Sequence, residues 1–416
     1  MLNVAFILAD SGISGGVNVI FQHALNMINS GIKVAIVSKS IIKHEEVKWH
    51  PIESYYDDPR LLWLDYSNVV EYSFDIAIAT WWRTFFDLWK IQAKNYAYFV
   101  QSIESRFYSD TEKLIRLAVD STYDIPIGFI TEASWIKNYI SKIHDHQCEY
   151  APNGIDKDLF TPFGPAVAPR EKGRLRVLVE GPIDVWFKNV PESIKLARKA
   201  DVNEVWLLTS SDVKSYPLVD RLFSRVNQKN LGAIYRSCDV ILKLSYVEGM
   251  FGPPLEMFHC GGTCIVYDVS GHEEYIKNGF NGIIIKKGDE GKVKQALRHL
   301  RLNQEFLNNL QRNALTTAMS WPNWKVSSDQ FINGVEKILS RKTVSRKMLR
   351  NHTQRIWNLV EVSWQISTER DRLLAECSTE RDRLLAEYDQ IINSRSWKIT
   401  SPMRLIMNKI RYVTKR

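Results

Sequence analysis

Apolar residues along this chain fall into two interleaved patterns: short unbroken runs, and longer stretches in which they return every three or four positions. The runs Asn3–Ala9, Lys33–Ser38, Asp75–Ala79, Ala97–Val100 and Ile125–Thr131 come first, and Leu175–Glu180, Val205–Thr209, Asp239–Ser245 and Cys264–Val266 follow. A run that is apolar throughout, without alternation, marks a strand buried on both faces of a parallel sheet. Val17–Asn29 and Val190–Ala200 carry the helical period soon after the first run of each set, so strand, loop and helix open two Rossmann-like halves. Between the sets, Thr161–Gly173 holds three prolines and two glycines, the composition of a hinge. The expected architecture is α/β, with a first domain over residues 1–163 and a second over 164–338. The second ends in a charged amphipathic helix over 291–313 and a last helix over Lys325–Leu339.

Beyond residue 341 the pattern changes. Ser367–Glu376 and Ser378–Glu387 are the same ten residues, STERDRLLAE, at a period of eleven. An eleven-residue repeat predicts a long helix with slight right-handed supercoil. Around such a helix Ile366, Leu373, Cys377, Leu384, Tyr388 and Ile391 form one stripe, with Leu374, Leu385 and Ile392 on its shoulder. That stripe favours self-association through residues 363–392, as a homo-oligomer, over a helix lying on the protein's own surface. Ser401 and Pro402 then suit a helix start, after which Met403, Ile406, Met407, Ile410 and Val413 share one face and Arg404, Lys409, Arg411, Lys415 and Arg416 the other. Residues 341–416 therefore read as a helical, coiled-coil stalk with a basic amphipathic end suited to an anionic membrane surface.

Charge sharpens this division. Residues 1–165 hold 14 Lys and Arg against 20 Asp and Glu, residues 166–340 hold 24 against 19, and residues 341–416 hold 17 against 8. The basic excess thus lies in the tail, and the two expected domains show no basic stripe interleaved with aromatics, so nucleic acid is not an expected partner. No apolar run approaches the roughly 18 to 20 residues of a membrane span, and the start, MLNVAFILAD, reads as a strand and not as a leader. The expected location is cytoplasmic, peripheral on the inner face of the cell membrane through the tail. Five scattered cysteines argue for reduced thiols. His259, Cys260, Cys264 and His272 fit no usual zinc spacing, so no metal is expected. The loop Ser14-Gly15-Gly16 lacks the GxGxxG spacing and the acid of a dinucleotide site. It offers instead bare amides beside a helix N-terminus, at the carboxyl end of a strand where open α/β sheets bind ligands.

The densest chemistry lies in Ser245–Asn281, whose centre is Glu248 and Glu256 with seven residues between them. Glu248 follows the Asp239–Ser245 strand, and Gly249 and Gly252 allow close backbone approach. Pro253 and Pro254 suit the start of a helix, which places Glu256 in its first turn. Either glutamate alone is most simply a solvated loop acid or a helix-end acid. Together, in the order Glu-Gly-x-Phe-Gly-x-Pro-x-Glu, and followed by Gly261-Gly262, Cys264–Val266, Gly271–Ile276 and Asn278–Gly282, they resemble the signature of the retaining GT-B glycosyltransferases of family four. The likeness runs from Leu231 to Asp289, and Pro152-Asn153-Gly154-Ile155-Asp156 resembles the segment that ends that family's first domain.

The resemblance implies two Rossmann-like domains facing across a cleft, and transfer of a hexosyl or deoxyhexosyl unit with retention from a nucleotide-sugar to a glycan acceptor, without metal or cofactor. It implies Glu256 on the ribose hydroxyls, Lys188 on the diphosphate, Glu248 with Gly249, Met250, Phe251 and Gly252 around the sugar, and Gly15 and Gly16 facing the donor phosphates. Two departures stand out: Pro182 where the family has an arginine, and Gln101 near where many members have a histidine. Trp81 and Trp82 are either a packed interdomain surface or a platform for a sugar face. With the basic tail, a lipid-linked acceptor in surface polysaccharide assembly such as O-antigen is the expected context. The departures leave one rival, a catalytically silent GT-B adaptor acting through its stalk.

Overall fold

The computed structural model describes residues 2–341 and 344–393. The first domain is built on a seven-stranded parallel sheet: β1 (Asn3–Ile7), β2 (Lys33–Ser38), β3 (Leu61–Asp65), β4 (Phe74–Ala79), β5 (Ala93–Val100), β6 (Gly128–Thr131) and β7 (Cys148–Tyr150), in the order β3-β2-β1-β4-β5-β6-β7. The second is a six-stranded parallel sheet: β8 (Arg176–Glu180), β9 (Glu204–Thr209), β10 (Arg221–Ser224), β11 (Val240–Lys243), β12 (Thr263–Tyr267) and β13 (Ile283–Ile285), in the order β10-β9-β8-β11-β12-β13. In each sheet the chain first winds outward one way and then returns to wind the other, so the order reverses between β1 and β4 and between β8 and β11. Those reversal points open crevices at the carboxyl ends of the strands.

The unbroken apolar runs form these strands because helices cover both faces, and Val4, Phe6, Ile36, Ile78, Val177, Leu242 and Ile265 are fully or almost fully buried. The helix Gly15–Asn29 starts two residues before the sequence pattern predicts, because the Ser14 side chain accepts the amide of Val17 and caps it. The helix expected over 291–313 is two helices, Glu290–Leu302 and Gln304–Ser320. Asn303 ends the first and its side chain caps the second by accepting from Phe306 N. The last helix of the second domain, Trp324–Leu339, packs back on the first sheet. Its Phe331 stacks on His23 with ring centroids 4.3 Å apart, and Ile338 lies where a side chain at Gly128 would be.

The tail does not separate at residue 341. One helix runs from Arg346 to Asn393, and residues up to Ile356 belong to the same compact unit as both sheets. Leu349 and Thr353 are buried there, Arg346 donates to the carbonyls of Trp89 and Lys90, and the Arg350 guanidinium sits 4.8 Å from the Trp89 ring centroid. From Trp357 the helix forms a second unit, in which Leu373, Leu374, Leu384, Leu385 and Tyr388 are all exposed. The repeat duplicates its ion pairs: Arg372 bonds Glu369 and Glu376, and eleven residues on Arg383 meets Glu380 and Glu387. No helix among the described residues is long and apolar enough to cross a membrane. The basic helix expected over 402–416 lies outside the described residues.

Candidate functional site

The carboxyl ends of both sheets meet at one cleft of about 550 Å³. The first domain lines it with Leu8 to Ile20 from the end of β1 onward, except Gly12 and Ser11, with Thr80 and Trp81 after β4, with Gln101 and Ser102 after β5, and with Glu132 after β6. From the second domain come Glu180 at the end of β8, Pro182 after it, Lys188, Lys243, and the stretch from Val247 to Glu256 without Phe251 and Pro254. The rim is tied across by Trp135 Nε1 donating to Gly249 O at 2.8 Å, Arg106 to Ser270 at 2.8 Å, and Gln228 Nε2 to Asn18 at 2.9 Å.

Glu248 lies buried in the loop after β11. Its Oε2 is 2.9 Å from Lys188 Nζ and its Oε1 is 3.7 Å from Lys243 Nζ, an ion pair too long for a hydrogen bond, so Oε1 is a buried acceptor with no hydrogen-bond partner among the described residues. Burial alone would raise its pKa, but the ammonium groups of Lys188 and Lys243 outweigh it and hold the carboxyl below the usual range. Glu256 is in the second turn of the helix Gly252–His259 and not the first, because the helix already starts at Gly252 ahead of the two prolines. Burial pushes its pKa up to about 7, Glu180 adds to this, and a hydrogen bond from Tyr235 and the charge of Lys243 oppose it.

The loop between the glutamates is spent differently from the expectation. A Cβ at Gly249 would lie 1.7 Å from the carbonyl oxygen of Gln101, so this glycine admits the backbone of the opposite domain. Met250 is buried, and its amide dipole favours the charged form of the Glu132 carboxylate. Phe251 does not line the cleft: its ring is fully buried and its carbonyl accepts from the Tyr275 hydroxyl. Gly252 does line it, with open space where a side chain would be.

On the first-domain side, Gly15 faces open space, while the bare face of Gly16 is filled by the Gln101 side chain at 3.3 Å from the position of a Cβ. Gln101 reaches the cleft and donates to Thr80 O at 3.4 Å. The tryptophan pair divides. Trp81 lines the cleft half-buried, with the Arg83 guanidinium 5.0 Å from its ring centroid. Trp82 cannot be a sugar platform, since its ring is wholly buried and its Nε1 donates to Tyr108 Oη at 3.1 Å.

Four cleft residues escaped the sequence reading. Glu104 accepts the Trp82 amide at 2.6 Å and the Tyr98 hydroxyl at 2.8 Å, and burial pushes its pKa up to about 8. Glu132 accepts from Asn153 Nδ2 at 2.8 Å, and burial, with a smaller contribution from Glu248, pushes it up to about 8 as well. Glu180 and Lys243 pair at 2.6 Å. The one local signal was the charge of Lys243 inside the apolar run DVILKLS. Among the described residues no group of three or more His, Cys, Asp and Glu side chains is placed to hold a metal ion.

Four likenesses bear on the chain. Residues 221–317 match the family described as Glycosyl transferases group 1, a segment that contains both Glu248 and Glu256. The O-antigen biosynthesis protein RfbC of Myxococcus xanthus is 25% identical over 280 residues, covering 63% of this chain and 20% of that protein, so the chain spans about a fifth of the length of this relative. Among solved structures, sucrose-phosphate synthase from Thermosynechococcus elongatus superposes with a TM-score of 0.63 at 15% identity, over 82% of this chain and 100% of that one. Anabaena Alr3699/HepE in complex with UDP-glucose does so with a TM-score of 0.63 at 10% identity, over 81% and 100%. The fold is that of GT-B proteins, two parallel-sheet Rossmann-like domains with a C-terminal helical region.

Proposed function

We propose that this chain is a retaining glycosyltransferase that moves a sugar from a nucleotide-sugar donor to a glycan acceptor, lipid-linked, in the assembly of a surface polysaccharide. The observation that carries the reading is the buried Oε1 of Glu248, which has no hydrogen-bond partner among the described residues, in a cleft that also holds Glu256 and the Lys188 ammonium. An acceptor-only oxygen held ionised in such a place suits the hydroxyl groups of a sugar. Glu256 suits the vicinal hydroxyls of a ribose when it is ionised. In the reaction the bond between the anomeric carbon and the departing diphosphate oxygen breaks as the acceptor hydroxyl oxygen attacks from the same face. The hydroxyl proton passes to the departing phosphate oxygen, so no side chain on the Gln101 side is needed as base. Charge growing on the leaving group is met by Lys188 without metal.

The exposed stripe from Leu373 to Tyr388 supports assembly through the stalk as a homo-oligomer, and the basic sequence after it supports docking on an anionic inner membrane surface. Supplying the purified chain with nucleotide-sugars and lipid-linked glycans, and reading free nucleotide together with the anomeric configuration of the product, tests the assignment. Nucleotide binding without turnover against every acceptor supports the adaptor instead, a reading motivated by Pro182 in place of an arginine and Gln101 in place of a histidine.

A further inference from the structure

The cleft's basic side chains, among the described residues, are Lys188 and Lys243, and the catalytic reading above uses only the first. Lys243 closes β11 with a side chain only 3% exposed. Its ammonium donates to Glu180 Oε2 at 2.6 Å and to the Glu180 carbonyl at 3.3 Å, and stands 3.7 Å from Glu248 Oε1. Burial alone would lower its pKa, but the carboxylates of Glu180 and Glu248 more than offset this, and the group stays charged.

Such a pair is a poor way to hold two strands together, because the cost of drying both ions consumes most of their attraction and apolar side chains of the same shape serve as well. Along the ladders the neighbours are apolar: Leu242, next in β11, pairs with Val179, Lys243 itself pairs with Val266, and Leu242, Val179 and Val266 are buried. What distinguishes the position is where it points. Gly181, with φ at 140°, lies beside both lysines; a Cβ there would be 3.2 Å from Val190 Cγ2, 3.6 Å from Lys188 Cβ and 3.9 Å from Lys243 Nζ. A side chain at this position would crowd Val190 and both lysines. The backbone offers little charge of its own at this place, since the Gly181 amide is taken by Leu208 O at 3.0 Å and Pro182 has none.

We propose that Lys243 is a second diphosphate-binding cation, holding the donor's phosphates together with Lys188 across Gly181. The inference rests on the nucleotide-sugar reading and assigns the residue that supplies the charge Pro182 lacks. Glu180, Lys243, Glu248 and Lys188 form a row of alternating sign whose formal charge sums to zero. Phosphates entering between the lysines draw both ammonium groups away from Glu248, and its two oxygens become free for the sugar hydroxyls. Donor phosphate and donor sugar are thereby bound in one rearrangement.

The test is calorimetric titration of the full chain with UDP, dTDP, GDP and ADP, followed by the monophosphate of whichever base binds tightest. Lys243→Met should weaken the diphosphate by about tenfold or more, the value of a charge-assisted bond, while the monophosphate loses clearly less. Lys243→Arg should hold the diphosphate within about threefold. Because Lys243→Met strands Glu180, the paired variant Glu180→Gln with Lys243→Met carries the same expectation with a wild-type melting temperature. Undiminished diphosphate binding in that paired variant overturns the inference alone, as does an equal loss for diphosphate and monophosphate. Failure of the wild-type chain to bind any of the four diphosphates overturns the nucleotide-sugar reading and the inference with it.

Discussion

Lys188 Nζ and Glu248 Oε2 are 2.9 Å apart, joining the loop after β8 to the loop after β11 across the reversal point of the second sheet. Each is the other's counter-ion before any ligand arrives. A phosphate that recruits the lysine therefore competes with the glutamate, and this couples the two ends of the donor.

Replacing Glu248 should accordingly separate binding from chemistry. Glu248→Gln removes the competitor for Lys188, so nucleoside diphosphate affinity is predicted to stay level or rise by up to about tenfold, while turnover falls by more than about a hundredfold. Calorimetry beside a steady-state assay checks this; a parallel loss of nucleotide binding would remove the competition argument.

Glu256 gives the opposite phenotype and a pH signature. Its carboxyl titrates near 7, so the ionised acceptor is scarce at pH 6 and dominant at pH 8. Diphosphate affinity should rise over that interval at fixed ionic strength. Glu256→Gln should bind about ten- to a hundredfold more weakly at pH 8 and lose the part of the pH dependence that exceeds the ligand's own phosphate titration. A variant whose affinity tracks the wild type at every pH would contradict the ribose role.

Glu104 makes the fold itself sensitive to alkali. Its folded pKa of about 8 stands above the value near 4.5 in the unfolded chain, so between those values the folded state holds the extra proton. Stability from this group is fully present below about pH 4.5 and is lost as pH rises towards 8, at up to about 1.4 kcal/mol per pH unit. Glu104→Gln should melt increasingly later than the wild type as pH goes from 5 to 8. Thermal scans that run parallel across that range would show the group titrating normally.

Activity is expected to survive EDTA, because lysine ammonium groups are proposed to take the charge of the departing diphosphate. Turnover abolished by chelation and restored by magnesium or manganese would refute the metal-free assignment.

The tail gives two separable outcomes. A chain ending at Ile356 keeps Leu349, Thr353 and Arg346 in place and should fold and bind nucleotide as the full chain does. One ending at Leu339 uncovers the bed of Leu349, worth about 1.5 to 3 kcal/mol, and should melt earlier. Leu373→Asp with Leu384→Asp should shift the full chain to a monomer in sedimentation while leaving its salt-sensitive pelleting with anionic liposomes intact. An unchanged oligomeric state in that variant would rule out the stripe as the contact.

The central strands were legible because parallel sheets covered on both faces need unbroken apolar runs. The edge strands Leu61–Asp65, Cys148–Tyr150, Arg221–Ser224 and Ile283–Ile285 were not, being short or mixed in polarity. Glu248 and Glu256 were legible because their spacing lies within one loop and helix. Lys243 and Glu180 meet only through sheet register across 63 positions, which no local window reports. Trp81 and Trp82 read alike in sequence, and only the packing around β4 sends one into the cleft and the other into the core.

His23 and Ser328 bond at 3.0 Å although 305 positions separate them, and Gly154 is bare because Trp324 backbone presses on it. The first domain is thus finished by a segment made long after its own strands. During synthesis its sheet emerges with the seat of the Trp324–Leu339 helix still empty, an apolar groove formed by Phe6, Phe99 and Ile130 among others. The ribosome must deliver the whole second domain before that groove closes. The order of birth along the chain therefore makes the first domain dependent on the second, and a polypeptide cut between them should stay bound to chaperones or aggregate instead of folding as an independent half.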